Sequence, residues 1–335
     1  MNTPKGLRNM TDSIVAAHRL TVRNLLDFYA SFAEDDEVKQ KPDLTSVVIS
    51  FRVIQYFFGD EWINKNVNPY AKKPGYMRIT FGKTAQDEIR GMRLVDLAEL
   101  LLNLQDTPGF ADLVGRLKTA DVEPSLAELY VGRILYINDV PFRFVAPKGQ
   151  KGDDYDLEVT YPDGTVVCGE TKCKIESTTL TESTIANALQ TARGQLPKDR
   201  PGVIFLKFPQ QWLEGDQRQA SAQLMAHAAI KFFVGTAKRP AASRIASVKY
   251  YVEPMSHADG HAKHGHEFLQ VSNPHNKFFP KRNWDLFHYR PVPGHWNAMP
   301  PKWIRLYKFP HELGEHGKPS AEHEESSREK GCKGM

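Results

Sequence analysis

The chain has 335 residues, of which 41% are hydrophobic and 25% charged, and its formal net charge at pH 7 is +4. These values are typical of a globular protein with a sizeable core. No apolar run approaches the roughly 20 residues of a membrane span, so we expect no membrane partner. The mild positive charge allows binding to nucleic acid but does not by itself indicate it.

The cysteines and the N-terminus indicate the compartment. The N-terminus lacks the apolar core of a signal peptide. Cys168 and Cys173 lie an odd number of residues apart on one predicted strand, so they should face opposite ways and not form a disulfide. Cys332, the third cysteine, lies in a polar tail. We therefore expect reduced thiols and a cytoplasmic location.

Residues 1–118 are predicted to be mainly helical. Apolar residues between 14 and 29 follow a helical spacing, and residues 91–105 and 110–117 predict two further amphipathic helices. Residues 47–58 fit either a buried helix, by length, or a strand, by β-branched content. No catalytic motif stands out here, so we expect a helical accessory domain or an oligomerisation surface, for example that of a homodimer.

A helix is predicted over residues 123–135, where Pro124 suits the first turn. Its apolar face is formed at helical spacing by Leu126, Leu129, Tyr130 and Ile134. Glu128 borders this face. Its carboxylate is therefore either half-buried or aimed at a site, and the alternative is a surface Glu on the flank of the helix.

Two strand-like runs, 155–161 and 165–174, predict a β-hairpin around the sequence Pro-Asp-Gly at 162–164. A three-residue loop suits this sequence. Tyr161 then pairs with Thr165, and Asp156 falls opposite Glu170 with Cβ atoms roughly 4.5–5.5 Å apart. A two-residue loop would instead place Asp156 opposite Thr171, on the wrong face.

The hairpin carries residues that suit a metal site. Glu170 and Lys172 share a face because side chains alternate along a strand. Mg²⁺ prefers oxygen ligands and needs only one or two protein carboxylates, which Asp156 and Glu170 can supply. Lys172 could orient a water or stabilise charge on a phosphate. The alternative is a solvated hairpin face, on which Glu and Lys are common.

Downstream, residues 183–195 predict a helix that ends at Leu196-Pro197, and residues 202–208 predict a buried strand. A helix over 215–235 and a strand over 246–253 follow. The order of helix, hairpin, helix and strand predicts an α/β fold with a mixed central sheet.

Over about residues 120–275, the order and the residues resemble the PD-(D/E)XK, or restriction-endonuclease-like, nuclease superfamily. Its acidic residue on the first core helix is matched by Glu128. Its Asp on the second strand is matched by Asp156, and its Glu-x-Lys by Glu170 to Lys172. A Gln or Lys on the next helix is matched by Gln190 or Gln195. Tyr155 stands where the family name has proline, which removes no ligand.

This resemblance implies a restriction-endonuclease-like core at 119–275 behind the helical N-terminal domain. It implies a metal-dependent nuclease that hydrolyses phosphodiesters with Mg²⁺, for which Mn²⁺ can substitute. Asp156, Glu170 and the Thr171 carbonyl would be ligands, and Glu128 would bind a second metal or a metal-bound water. Lys172 would position the attacking water, assisted by Gln195.

The expected partner is nucleic acid, with DNA favoured over RNA. The basic residues near the motif are the candidate phosphate contacts: Lys148, Lys151, Lys174, Arg193, Lys198 and Arg200. Ordinary solvated side chains are the alternative for each. The segment 143–207 holds as many acidic as basic residues, so it is not a basic stripe.

Residues 254–266 are predicted to be a polar loop with four histidines, His257, His261, His264 and His266. We favour no metal site there, because no cysteine or carboxylate completes a recognised spacing. Residues 276–310 are predicted to be a loop-rich extension. Its tryptophans, Trp284, Trp296 and Trp303, favour packing over the core rather than stacking on bases. Residues 311–335 are predicted to be a disordered tail.

Two other interpretations remain open at this stage. One is a catalytically silent protein of the nuclease fold that binds nucleic acid or a protein partner. The other is a structural helical protein in which the three hairpin residues coincide by accident.

Overall fold

The computed structural model describes residues 19–34, 42–67, 76–77, 85–161, 164–235, 240–258, 261–278 and 303–306. Within these ranges the chain is α/β, with eight α-helices and an open, mixed sheet of six strands. None of the described helices has the length and apolar character needed to cross a bilayer.

The N-terminal region is helical, as predicted. Its five helices are α1 (Val22–Ala30), α2 (Pro42–Phe58), α3 (Asp60–Asn66), α4 (Ala85–Leu104) and α5 (Phe110–Leu117). Thr21 caps α1 in a capping box with Asn24. The pattern predicted upstream of Leu20 falls mostly outside the described residues.

The ambiguous segment 47–58 is helical and belongs to α2. Its β-branched residues Ile49, Val53 and Ile54 are fully buried in the helical layer, where α2 packs on α4. Burial of this face outweighs the small intrinsic cost of β-branched residues in a helix.

The central sheet has the strand order β1-β2-β3-β4-β5-β8. These strands are β1 (Phe142–Phe144), β2 (Leu157–Thr160), β3 (Val166–Cys173), β4 (Gly202–Lys207), β5 (Ile245–Val252) and β8 (Glu267–Ser272). β3, β4 and β5 are parallel, and the other pairs in this sheet are antiparallel. Two helices provide the crossovers, α7 (Glu182–Gln195) and α8 (Arg218–Val234).

The sheet separates two hydrophobic cores. α6 (Val122–Ile137) and the N-terminal helices cover one face together, and α7 and α8 cover the other. The first core runs without interruption from Leu25 in α1 to Val203 in β4. The boundary predicted at residue 118 therefore does not separate two cores. Cys168 and Cys173 face opposite cores and are both free thiols, as predicted.

The start of α5 is locked onto the sheet edge by a close backbone approach. Gly109 has φ +82°, and a Cβ there would lie 2.1 Å from the Phe144 carbonyl oxygen, which leaves no room for a side chain. The Phe144 amide also donates to the Pro108 carbonyl at 2.9 Å. The orientation of α5 relative to β1 is thereby fixed.

The prediction of a polar loop over 254–266 was wrong. This segment contains an antiparallel hairpin of β6 (Met255–Ala258) and β7 (His261–His264). His266 follows it and is buried, with its ring against the Glu253 carboxylate. Strand pairing satisfies the backbone of this His-rich segment, a stabilisation that single-residue composition does not reveal.

Of the predicted C-terminal extension, only residues 276–278 and 303–306 are described. Trp303 is buried, and its indole N–H donates to Glu99 at 3.2 Å. The Ile304 amide donates to Asn103 at 2.7 Å. Trp303 therefore packs on the helical layer. Trp284, Trp296 and the predicted disordered tail lie outside the described residues.

Candidate active site

The predicted hairpin register is present in the structure. Leu157 pairs with Gly169, Glu158 with Cys168, Val159 with Val167 and Thr160 with Val166. The Tyr161 amide donates to the Thr165 carbonyl at 2.9 Å, and Gly164 has φ +81°. Pro162 and Asp163 lie outside the described residues, but these bonds define a three-residue loop.

Asp156 lies one residue before β2, so it is not a member of the paired ladder. Its amide donates to the Gly169 carbonyl at 3.0 Å, and its own carbonyl accepts from Val145 at 2.8 Å. Its carboxylate accepts from the Thr171 amide at 2.7 Å. The backbone thus holds the Asp156 carboxylate beside the Glu170–Thr171 peptide.

Glu170 is fully buried on β3, on the face that α7 covers. One of its carboxyl oxygens, Oε1, accepts from the Lys172 ammonium, while Oε2 is buried without a hydrogen-bond partner among the described residues. Burial and, to a smaller extent, the Asp156 carboxylate together raise the pKa of Glu170 to about 9, although Lys172 opposes the shift. A buried, unpaired carboxyl oxygen of this kind suits a hard cation.

Lys172 links Glu170 to α7. Its ammonium donates to Gln195 Oε1 as well as to Glu170. Gln195 ends α7 and exchanges two hydrogen bonds of 3.1 Å with the backbone of Asp154. Of the two glutamines considered from the sequence, Gln195 is thus the one that meets Lys172.

Glu128 projects from α6 toward the same place. Its side chain is only 16% exposed and forms an ion pair with Arg116. Burial raises the pKa of Glu128 to about 8, with Asp156 as the next cause. Burial likewise raises the pKa of Asp156 to about 6, although the Thr171 amide opposes the shift. Glu128 is therefore half-buried and near Asp156, not on an exposed flank.

We call Glu128, Asp156, Glu170 and Lys172 the carboxylate site. It brings three mutually repelling carboxyls from α6, the start of β2, and β3 to one place. Lys172 lies beside them and is 24% exposed, so solvent reaches the group. Raised carboxyl pKa values at a partly open position mark a candidate functional site.

The donor set at this site is made of hard oxygens and fits Mg²⁺ or Mn²⁺. Asp156 and the unpaired Oε2 of Glu170 are the side-chain atoms that could hold the ion. Within the described residues, no group of three or more His, Cys, Asp or Glu side chains is arranged as a metal centre. A metal here would thus rest on two carboxylates, a backbone oxygen and water.

Arg116 belongs to the site, and sequence reasoning missed it. It lies in α5, in the region that was expected to carry no catalytic residue. No local motif marks Arg116, because its contact with Glu128 depends on how α5 packs on α6. A single arginine in the last turn of a helix is also common for reasons of helix electrostatics.

The predicted phosphate contacts differ in their surroundings. Lys148 pairs with Asp153 at 2.6 Å, and Lys151 and Lys198 are exposed. Lys174 is half-buried just after β3, and Arg193 donates to the Pro240 carbonyl at 2.6 Å. Lys148 and Lys151 lie on the loop that leads to Asp156.

Arg200 instead forms hydrogen bonds with two side chains of the protein. It donates to the Tyr155 hydroxyl at 2.9 Å and to Glu158 at 3.1 Å, at the edge of the hairpin. These contacts pair its charge within the protein. Arg200 is thereby the least suited of the six basic residues to a backbone phosphate.

No protein-family model matches the chain, and no curated protein or solved structure matches it. Any functional conclusion therefore rests on the geometry of the carboxylate site.

Proposed function

We propose that this chain is a metal-dependent nuclease of the PD-(D/E)XK type that hydrolyses phosphodiester bonds, preferentially in DNA. The observation that carries the proposal is the convergence at the end of the β2–β3 hairpin. Asp156, Glu170 and Lys172 meet there with Glu128 from α6 and Gln195 from α7. A helix, two strands and a second helix supply these residues in the order that the superfamily uses.

Each residue has a role that its contacts support. Asp156 and Glu170 would hold Mg²⁺ together with the Thr171 carbonyl. The ion would supply polarisation of a phosphoryl oxygen and a lowered pKa for water. Lys172, held in place by its hydrogen bond to Gln195, would orient the attacking water and stabilise charge that develops on the phosphate. Glu128 would bind a second metal or hold a metal-bound water.

The substrate strand would be held mainly through its phosphates. Lys148 and Lys151 stand on the loop before Asp156, and Lys151 is exposed. Contacts of this kind position a strand without reading its sequence. They predict salt-sensitive binding with little base preference.

A catalytically silent protein of the same fold is the second candidate. The observation that favours it is that both expected ligands already accept hydrogen bonds within the protein, Asp156 from the Thr171 amide and Glu170 from Lys172. Such a protein would bind nucleic acid or a protein partner and cut nothing. The intact Asp156, Glu170 and Lys172 argue for the enzyme.

A cleavage assay separates the two. Linear, supercoiled and single-stranded DNA, and RNA, are incubated with Mg²⁺ or Mn²⁺ and with EDTA. We expect metal-dependent cutting by the wild type and none by Asp156→Ala or Lys172→Ala. Lys231→Ala is the matched control. Lys231 lies on α8 and forms an exposed ion pair with Glu182, at the opposite end of α7 from Gln195. Cutting that survives in both site variants would refute the site assignment.

A further inference from the structure

Arg116 makes two contacts that lead to different parts of the carboxylate site. Its guanidinium forms an ion pair with Glu128. It also donates to the Val145 carbonyl at 3.2 Å. The amide of Val145 in turn donates to the carbonyl of Asp156 at 2.8 Å. One side chain therefore holds the Glu128 carboxylate and the backbone segment that pairs with Asp156.

The position of Arg116 is itself well fixed. α5 begins at the tight Gly109–Phe144 contact described above and ends at Leu117, one residue after Arg116. Phe110, Leu113, Val114 and Leu117 bury the apolar face of this short helix. The Arg116 side chain is 26% exposed, so it lies at the rim of the site rather than deep in the core.

The charges at the site also connect Arg116 with Glu128 and Asp156. Lys172 and Arg116 are the two cations that oppose the raised pKa of both Asp156 and Glu128. Lys172 is directed to Glu170, and Arg116 to Glu128. A planar guanidinium can hold a carboxylate in a fixed orientation while a second N–H holds a carbonyl, which a lysine ammonium does less well.

We propose that Arg116 is a positioning residue, through which the N-terminal helices set the placement of Glu128 and Asp156 for a bound divalent cation. This inference rests on the proposed metal site and extends it beyond the predicted core at 119–275. Arg116 acts through Glu128 and the Val145 backbone and touches neither the metal nor the substrate.

The test uses full-length Arg116→Met, Arg116→Lys, Glu128→Gln and the double variant. Mn²⁺ affinity is measured by isothermal titration calorimetry, and kcat and KM are measured on linear DNA. Loss of a group that orients metal ligands typically costs about 10–100-fold in metal affinity or activity. We expect a loss of this size in Mn²⁺ affinity and kcat for Arg116→Met, an unchanged KM, and partial rescue by Arg116→Lys.

The double variant tests the route of the effect. If Arg116 acts largely through Glu128, adding Arg116→Met to Glu128→Gln should reduce kcat by much less than Arg116→Met does in the wild type. Arg143→Met is the matched control, because Arg143 forms an exposed ion pair with Glu158 on the neighbouring strand. It should leave Mn²⁺ affinity unchanged.

Several outcomes overturn the inference. The inference fails if Arg116→Met has the Mn²⁺ affinity and kcat of the wild type. It also fails if Arg116→Met raises KM alone, which would assign Arg116 to substrate binding. It fails as well if the losses in kcat from Arg116→Met and Glu128→Gln multiply fully in the double variant. If the wild type cuts DNA and Arg116→Met cuts it equally well, the nuclease proposal still stands. A wild type that binds Mn²⁺ in an Arg116-dependent way but cuts nothing supports the inference and refutes the nuclease. Absence of Mn²⁺ binding refutes both.

Discussion

Helix α6 contributes one residue to each of two clusters of charged side chains, and the two clusters differ in their exposure to solvent. Glu128 faces the carboxylate site. Arg133, five residues on, lies in what we call the arginine cluster, formed with Asp96, Glu99, Glu253 and His266. Arg133 is 1% exposed and pairs with Asp96 and, at 2.8 Å, with Glu253.

The arginine cluster is enclosed and joins separate parts of the fold. Glu99 accepts from the Leu306 amide at 2.7 Å and from Trp303, which fastens the C-terminal segment to α4. Burial lowers the pKa of His266 well below its usual value, and Arg133 adds to this shift. Its contacts join helices, strand ends and the distal segment, as expected of a structural network.

The carboxylate site is instead partly open, because Lys172 is 24% exposed and Glu128 is 16% exposed. Three carboxyls share the cations Lys172 and Arg116, and one buried oxygen of Glu170 has no hydrogen-bond partner in the part of the chain that the structure describes. Burial alone therefore does not mark a functional site, since both clusters contain buried carboxyls. The distinguishing feature is access to solvent, through which a ligand could reach the carboxyls beside Lys172.

The largest expected effect is on the arginine cluster. Arg133→Met leaves Asp96 and Glu253 buried without their cation, and breaking a buried pair in this way typically costs about 3–5 kcal/mol. Chemical denaturation should show this loss. Lys172→Met should cost much less, because Glu170 can take up a proton. Equal losses in the two variants would remove the distinction between the clusters.

Metal binding should stabilise the folded protein through the carboxylate site and not through the arginine cluster. A ligand at 100 times its Kd adds about 2.7 kcal/mol to folding stability. Mg²⁺ at such a concentration should raise the Tm of the wild type and of Glu99→Gln, but not that of Asp156→Asn. A Tm of Asp156→Asn that rises with Mg²⁺ as the wild type does would place the ion elsewhere.

The pH dependence of stability should follow Glu170. Its pKa is about 9 in the folded protein against an ordinary value of 4.5. Because the folded value is the higher one, its contribution to stability is greatest below pH 4.5 and is lost as pH rises toward 9. In Glu170→Gln this loss of folding stability with rising pH should be absent, because glutamine does not titrate.

We therefore expect Glu170→Gln to be more stable than the wild type in EDTA at pH 8, by about 0.5–2 kcal/mol, as is common when a functional residue is neutralised. Denaturant titrations at several pH values measure the difference. It should shrink as pH falls to about 5. A constant difference across this range would mean that Glu170 does not titrate as its burial predicts.

The smallest expected effect concerns the surface near the site. Lys151→Ala should weaken DNA binding and reduce the slope of log K against log salt by about 1, the result for one lost phosphate contact. Fluorescence anisotropy at several salt concentrations measures this slope. Lys231→Ala, on α8, serves as the control and should leave it unchanged.

The local elements of the fold were predictable because their signals lie within a few residues. Helical spacing predicted the helices around Glu128 and Gln195, and Pro-Asp-Gly predicted the hairpin register. β1 and β8 were missed, since β1 has only three residues and neither strand is joined to its partner by a short turn. The β6–β7 hairpin was mistaken for a loop because its polar, His-rich composition resembles one.

The sequence by itself determined which carboxyls and which lysine share the hairpin, because strand alternation and the turn fix their faces. Only the tertiary structure decided that Glu128 is half-buried beside Asp156, that Gln195 rather than Gln190 meets Lys172, and that Arg116 joins them. Those contacts depend on how α5, α6 and α7 pack on the sheet. Packing between distant segments is set by the whole core, and no short stretch of sequence encodes it.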